Sequence, residues 1–189
     1  MEPTPSAKAP AAPEVAAVIV SRRRIQRRLD ELAGEIAAAY AGCELTVVAV
    51  LDGALIFLAD LVRRLEMDLR IITLSVRSYS GNGPRPGGPV ISGVLPRLEG
   101  RHVLVVDDVL DTGSTLSAVL EQVRLCNPAS CRCCVLLRKH RRGGGPACAP
   151  KVDFAGFEIE DRFVVGYGLD FDGKYRNLSD IVVLKRHWE

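Results

Sequence analysis

Three carboxylates and a hydroxyl-rich turn stand together in the middle of the chain. Asp107 and Asp108 follow the apolar run Val103-Leu104-Val105-Val106, and Asp111 immediately precedes Thr112-Gly113-Ser114-Thr115. A short run rich in valine reads as a buried strand. Past the turn, Leu116, Val119, Leu120 and Val123 recur at helical spacing. A strand feeding such a turn at a helix start is a place to hold a phosphate. Unpaired backbone N–H groups converge there, and the helix dipole favours an anion. Gly113 lets the backbone come close to its ligand.

Acids in front of a phosphate cradle need a different partner, because carboxylate and phosphate repel. Asp107 and Asp108 can accept hydrogen bonds from sugar hydroxyls, or share a Mg²⁺ ion with the ligand. Asp111, at the start of the turn, is placed to take up a proton. The ligand implied is a sugar with phosphates on both sides, together with a metal. The plainer alternative is that the two acids end a strand and Asp111 caps the helix.

The elements that must position these groups follow from hydrophobic patterning. Ile25, Leu29, Leu32 and Ile36 lie on one face of a helix expected over about Ser21 to Tyr40. Arg22, Arg23, Arg24, Arg27 and Arg28 fall largely off that face, as a solvated helix surface. Leu45 to Leu51 reads as a strand, and Asp52-Gly53-Ala54 turns it into an apolar helix. Leu69 to Val76 reads as the next strand, and Gly81 to Pro89 as a loop rich in Gly and Pro. Further strands are expected at Cys131 to Leu137, Val152 to Ile159 and Ile181 to Leu184. Strands alternating with helices imply an α/β fold around a mostly parallel sheet. Ligands of such sheets bind at the carboxyl ends of the strands, where the strand order reverses.

Composition narrows the function classes. The 189 residues suit one domain, expected over 15–189 behind a disordered Pro/Ala-rich tail at 1–14. A formal net charge of +2 argues against a dedicated nucleic-acid surface, and no apolar run reaches membrane-spanning length. The N-terminus lacks the apolar core of a secretory signal, so the six cysteines are expected as free thiols in a reducing cytoplasm. Cys131 and Cys134 have a zinc-like spacing but no second pair, and read as buried thiols on a strand.

Val105 to Thr115 resembles the phosphoribosyl-pyrophosphate loop of type I phosphoribosyltransferases, and Asp111 resembles their 6-oxopurine branch, the hypoxanthine-guanine enzymes. The resemblance runs from about Leu45 to Leu184. It implies a core at about 45–150 and a small hood from about 15–40 and 151–189. It implies that Asp107, Asp108, Thr112, Gly113, Ser114 and Thr115 hold the phosphoribosyl group, and that Asp111 accepts the proton. Leu51-Asp52-Gly53 corresponds to the pyrophosphate loop, where many relatives have Lys or Arg in place of Asp52. Its contact is therefore assigned to the backbone, with Arg176 also reaching pyrophosphate. Ser78 and Tyr79 would open a flexible loop that closes over the site. Lys139 would donate to the 6-oxo group, Phe163 would stack on the purine, and the Val164 backbone would meet its edge. Asp170 would face the base edge or a second metal, with Asp107 and Asp108 at the first. Mg²⁺, phosphoribosyl pyrophosphate, a purine base and a homodimer or homotetramer complete the expectation. The alternative from another class is a non-catalytic sensor of phosphoribosyl pyrophosphate that binds nucleic acid through the Arg22-to-Arg28 run.

Overall fold

The computed structural model describes residues 15–77, 89–140 and 150–185. In chain order the elements are β1 (Val15–Val20), α1 (Arg22–Ala39), β2 (Leu45–Leu51), α2 (Leu55–Val62), β3 (Leu69–Arg77), β4 (Val90–Ser92), β5 (His102–Leu110), α3 (Ser114–Leu125), β6 (Ser130–His140), β7 (Phe154–Glu160) and β8 (Ile181–Leu184).

Six strands form one sheet in the order β4-β3-β2-β5-β6-β7. The β3–β4 pair is antiparallel; the other neighbours are parallel. From β2 the chain steps outward to β3, and from β5 it steps the other way to β6 and β7. The reversal point therefore lies between β2 and β5. That is where the carboxyl ends of two neighbouring strands diverge and leave a crevice.

Side-chain alternation along the central strands divides the core. Val47, Ala49, Leu104 and Val106 pack on the side of α1 and α2. Val48, Val50, Val103 and Val105 pack on the side of α3. Burial on both faces explains why these strands read as continuous apolar runs. Helix α1 buries Ile25, Leu29, Leu32, Ala33 and Ile36. Each of its large side chains contributes about 1.5–3 kcal/mol by leaving water. Asp180 caps this helix from across the chain, its Oδ1 accepting from the Arg22 N–H at 2.5 Å.

A second, two-stranded sheet joins β1 to β8, antiparallel. The Val165 segment bridges onto it at Val182. Neither β1 nor β4 is anticipated from the sequence. β1 has an apolar, β-branched composition, but its partner lies at the other end of the chain. β4 is a three-residue edge strand.

Two strands run about a turn's length past their expected ends, while β3 and β7 exceed theirs by one residue. β5 continues through Asp107 and Asp108 to Leu110. The paired acids therefore lie within the strand, not beyond it. β6 continues to His140 and carries Lys139 on the strand. β7 starts two residues late, at Phe154. The Asp153 carboxylate accepts from the Cys133 N–H at 2.9 Å, so a side chain takes the place of a ladder bond there.

The arginine run is not uniformly solvated. Arg28 bonds Glu31 and Glu35 and donates to the carbonyls of Ala155 and Gly156, tying α1 to β7. Arg24 lies over the Phe157 ring, 5.7 Å from its centroid. Among the described residues, Cys133 and Cys134 are buried, Cys43, Cys126 and Cys131 are partly buried, and all five are free thiols.

Candidate active site

The phosphate turn forms as its sequence requires. Gly113 is the helix N-cap of α3 at φ +83°, a left-handed conformation that favours glycine. At the helix start Thr112 Oγ1 accepts from the Ser114 N–H at 3.4 Å. Thr112 Oγ1 and Ser114 Oγ lie 3.0 Å apart, and Thr112 and Ser114 are exposed at the helix start. The turn thus offers hydroxyls and first-turn N–H groups together.

Asp107 and Asp108 reach the end of the sheet on β5. Asp107 is buried, 5% exposed, and Asp108 is partly open. Asp107 Oδ1 accepts from the Asp108 N–H at 2.9 Å, and Asp108 Oδ1 from the Val109 N–H at 2.7 Å. Burial pushes both carboxyls above the ordinary carboxylate range, and the neighbouring Asp108 charge raises Asp107 further. A site that keeps such a pair suits a cation.

A carboxyl raised on folding binds more protons in the native state than in the unfolded one, so stability falls as pH rises through the interval between the two values. Asp107→Asn removes one raised carboxyl and can retain the Oδ1 bond. In metal-free buffer it is expected to melt at a higher temperature than the parent near neutral pH. The gain should shrink as pH falls toward about 4, where the unfolded carboxyl protonates. Thermal unfolding across that pH range checks this; a melting temperature at or below the parent's throughout would contradict it.

Across the reversal point, the β2–α2 turn closes on Asp108. The Leu51–Asp52 peptide is cis. Gly53 lies against Asp108 so closely that a Cβ there would stand 1.7 Å from Asp108 Oδ2. The Asp52 side chain is exposed, and its carbonyl accepts from the Leu55 N–H at 3.1 Å.

The segment after β7 packs onto this turn. A Cβ on Gly168 would come within 2.3 Å of the Gly53 carbonyl. Tyr167 donates its hydroxyl to Asp60 Oδ2 on α2 at 2.6 Å. Arg176 donates to the Gly168 carbonyl at 2.6 Å, pairs with Asp170 Oδ1 at 2.8 Å, and by its charge offsets a small part of the rise that burial gives the Asp108 carboxyl. Asp170 Oδ2 accepts from the Gly173 N–H at 2.9 Å. Asp170 therefore orients Arg176. No group of three or more His, Cys, Asp or Glu is gathered for a metal among the described residues.

The remaining cluster lies at the ends of β5, β6 and β7. Lys139 is only 11% exposed, and its Nζ lies 3.4 Å from Asp111 Oδ2 and 3.5 Å from Asp161 Oδ1. Phe163 is 57% exposed despite its size, and meets Phe171 edge to face at 5.6 Å. It is not a core residue, and its ring is open to a flat ligand. Val164 beside it is buried. Ser78 and Tyr79 lie outside the described residues.

The fold thus brings Asp108, the Gly53 turn and Arg176 together at the ends of β2 and β5, leads β5 into the Thr112-to-Thr115 turn, and joins Lys139 to Asp111. The model of the phosphoribosyl transferase domain matches residues 18–172. The chain belongs to the phosphoribosyltransferase family. This phosphoribosyltransferase is 38% identical over 174 residues to the hypoxanthine-guanine phosphoribosyltransferase of Bacillus subtilis, covering 91% of this chain and 94% of that one. It is 37% identical over 168 residues to the hypoxanthine-guanine-xanthine phosphoribosyltransferase of Tritrichomonas foetus, covering 89% and 91%. The crystal structure of a hypoxanthine-guanine phosphoribosyltransferase from Bacillus anthracis superimposes with a TM-score of 0.82 at 33% identity, over 91% of this chain and 100% of that chain.

Asp60, Asp161, Tyr167 and Gly168 are among the residues of this region that the sequence does not single out. Asp161 carries a faint signal, since it adjoins the Phe163-Val164 segment. Asp60 carries none, because its partner Tyr167 is distant in sequence.

Proposed function

We propose that the chain transfers the 5-phosphoribosyl group of phosphoribosyl pyrophosphate to hypoxanthine or guanine, releasing pyrophosphate and giving the purine mononucleotide for salvage. The observation that carries this reading is the pairing of Lys139 with Asp111 beside the phosphate turn. It supports a reading in which a donor to the oxo group and an acceptor of the ring proton serve one purine.

In this reading the Thr112-to-Thr115 turn clamps the 5-phosphate through backbone N–H groups and hydroxyls. Asp108, with Asp107 behind it, accepts from the ribose hydroxyls. The Leu51-Asp52-Gly53 backbone and Arg176 receive the pyrophosphate. Phe163 lies on the purine face, and Lys139 donates to its 6-oxo group, which selects oxo over amino because an amino group is itself a donor. A purine ring nitrogen forms the bond to the ribose anomeric carbon, the bond from that carbon to the pyrophosphate oxygen breaks, and the ring N–H proton passes to Asp111. The anomeric carbon gains cationic character on the way, as in glycosyl transfer generally.

The two carboxylates on β5 suit Mg²⁺, which takes one or two protein carboxylates and completes its shell with phosphate oxygens and water. Bound there, the ion supplies charge neutralisation for the departing pyrophosphate. The exposed Asp52 increases that need, since it adds negative charge beside the turn that would receive the pyrophosphate. A homodimer or homotetramer is part of the proposal, with α2, whose Leu55 is 54% exposed, as a contact face. The free thiols suit a reducing cytoplasm.

The test is incubation of the purified protein with radiolabelled hypoxanthine, guanine or xanthine, phosphoribosyl pyrophosphate and Mg²⁺. Nucleotide from the first two supports the proposal; none from any base points instead to a sensor. Lys139→Met should raise the KM for hypoxanthine at least tenfold while phosphoribosyl pyrophosphate binding stays within about twofold. Equal losses for both substrates would remove Lys139 from base reading.

A further inference from the structure

β6 lies between β5 and β7, and Lys139 near its end receives one carboxylate from each side. Asp111 comes from the turn after β5. Asp161 follows β7 directly and stands two residues before Phe163. The two contacts are nearly equal in length, 3.4 and 3.5 Å, but their carboxylates have different fates in the reaction. Asp111 takes up a proton and loses its charge, so its hold on the ammonium weakens as the reaction proceeds. A lysine on a flexible four-carbon stem would then be free to swing.

We propose that Asp161 is a positioning residue for base selection. It holds the Lys139 ammonium at the purine edge while Asp111 does its chemistry, and it fixes that ammonium relative to the ring that stacks on Phe163. The inference rests on the reading of Lys139 as the residue that meets the 6-oxo group. An ammonium has three donors. Anchoring one on Asp161 leaves the others for the oxo group and for Asp111. The Asp161 side chain is 46% exposed, so it closes no core and its loss opens no cavity. A purely structural role at the strand end would affect every ligand alike. A positioning role affects only ligands that Lys139 distinguishes.

The experiment is calorimetric binding of inosine 5′-monophosphate and adenosine 5′-monophosphate, with Mg²⁺ present, to the parent, Asp161→Asn and Asp161→Glu. These ligands differ at the 6-position and share the ribose and phosphate. The parent should prefer the oxo nucleotide. Asp161→Asn should reduce that preference about tenfold through weaker inosinate binding, on the scale of one charge-assisted hydrogen bond. Ribose 5-phosphate should bind all three proteins equally. Asp161→Glu, which keeps the charge, should hold the preference within about threefold of the parent. A parent that prefers inosinate and an Asp161→Asn protein with the same preference would overturn the inference alone. So would an equal loss for both nucleotides. A parent with no preference would instead overturn the reading of Lys139.

Discussion

Asp111→Asn is expected to lower turnover by about two to four orders of magnitude, the usual range for removing a positioned proton acceptor. The substitution is close to isosteric, and it keeps an oxygen facing Lys139, 3.4 Å away in the parent. An amide oxygen remains a hydrogen-bond acceptor but cannot take up the proton that the ring nitrogen releases. The phosphate turn is built from neighbouring residues and the N-terminus of α3, so phosphoribosyl pyrophosphate should bind Asp111→Asn within about threefold of the parent. The diagnostic pattern is a fall in kcat with little change in that substrate's dissociation constant. Steady-state kinetics with hypoxanthine, paired with direct binding of phosphoribosyl pyrophosphate, measures both. Turnover within a factor of three of the parent would remove the proton-transfer role and leave Asp111 as an ion-pair partner of Lys139.

Legibility in the sequence tracked how local each feature is. The strand Leu45–Leu51 stands where its apolar run places it, because burial on both sheet faces leaves no polar interruption to confuse the reading. The turn at Gly113 was legible because a strand, a glycine and hydroxyls in sequence have few other uses. The sequence pattern shortens β5 because buried acids break an apolar run, although their backbone continues the ladder as far as Leu110 beside Arg138. For Phe163 only the family resemblance implies a stacking role. Burial statistics favour the core for such a ring, and its 57% exposure supports an open face instead.

What remained hidden was the wiring between distant segments. No local pattern announces that Arg176 is held by Asp170 and the Gly168 carbonyl, or that Tyr167 reaches Asp60. Nor could the arginine run be divided into exposed and structural members. Arg28 serves β7 carbonyls only because α1 is packed against that strand. This also weakens the case for a nucleic-acid sensor, since Arg28 and Arg24 of the run are engaged within the fold.

Gly53→Ala is expected to reduce kcat/KM about a hundredfold, though the substitution adds one methyl group. The position has no room for it. A Cβ would stand 1.7 Å from Asp108 Oδ2 and 2.6 Å from its Cγ. Asp108 cannot simply swing aside at no cost, because its Oδ1 is held by the Val109 N–H at 2.7 Å. Either the carboxylate leaves that bond or the whole turn moves away from β5. Both outcomes separate the two halves of the site. In the proposed function the turn meets the pyrophosphate and the carboxylate the ribose, and the bond that breaks lies between those two parts of one substrate. A displacement of about 1 Å in such a constellation costs on the order of a hundredfold in rate. The loss should fall on phosphoribosyl pyrophosphate more than on the base, since Lys139 and Phe163 lie beyond the altered contact. Comparing the KM for each substrate and the affinity for pyrophosphate with Mg²⁺ present would resolve this. A Gly53→Ala protein with unchanged pyrophosphate affinity would mean that the close approach of this turn to Asp108 is a packing detail, without consequence for the departing group.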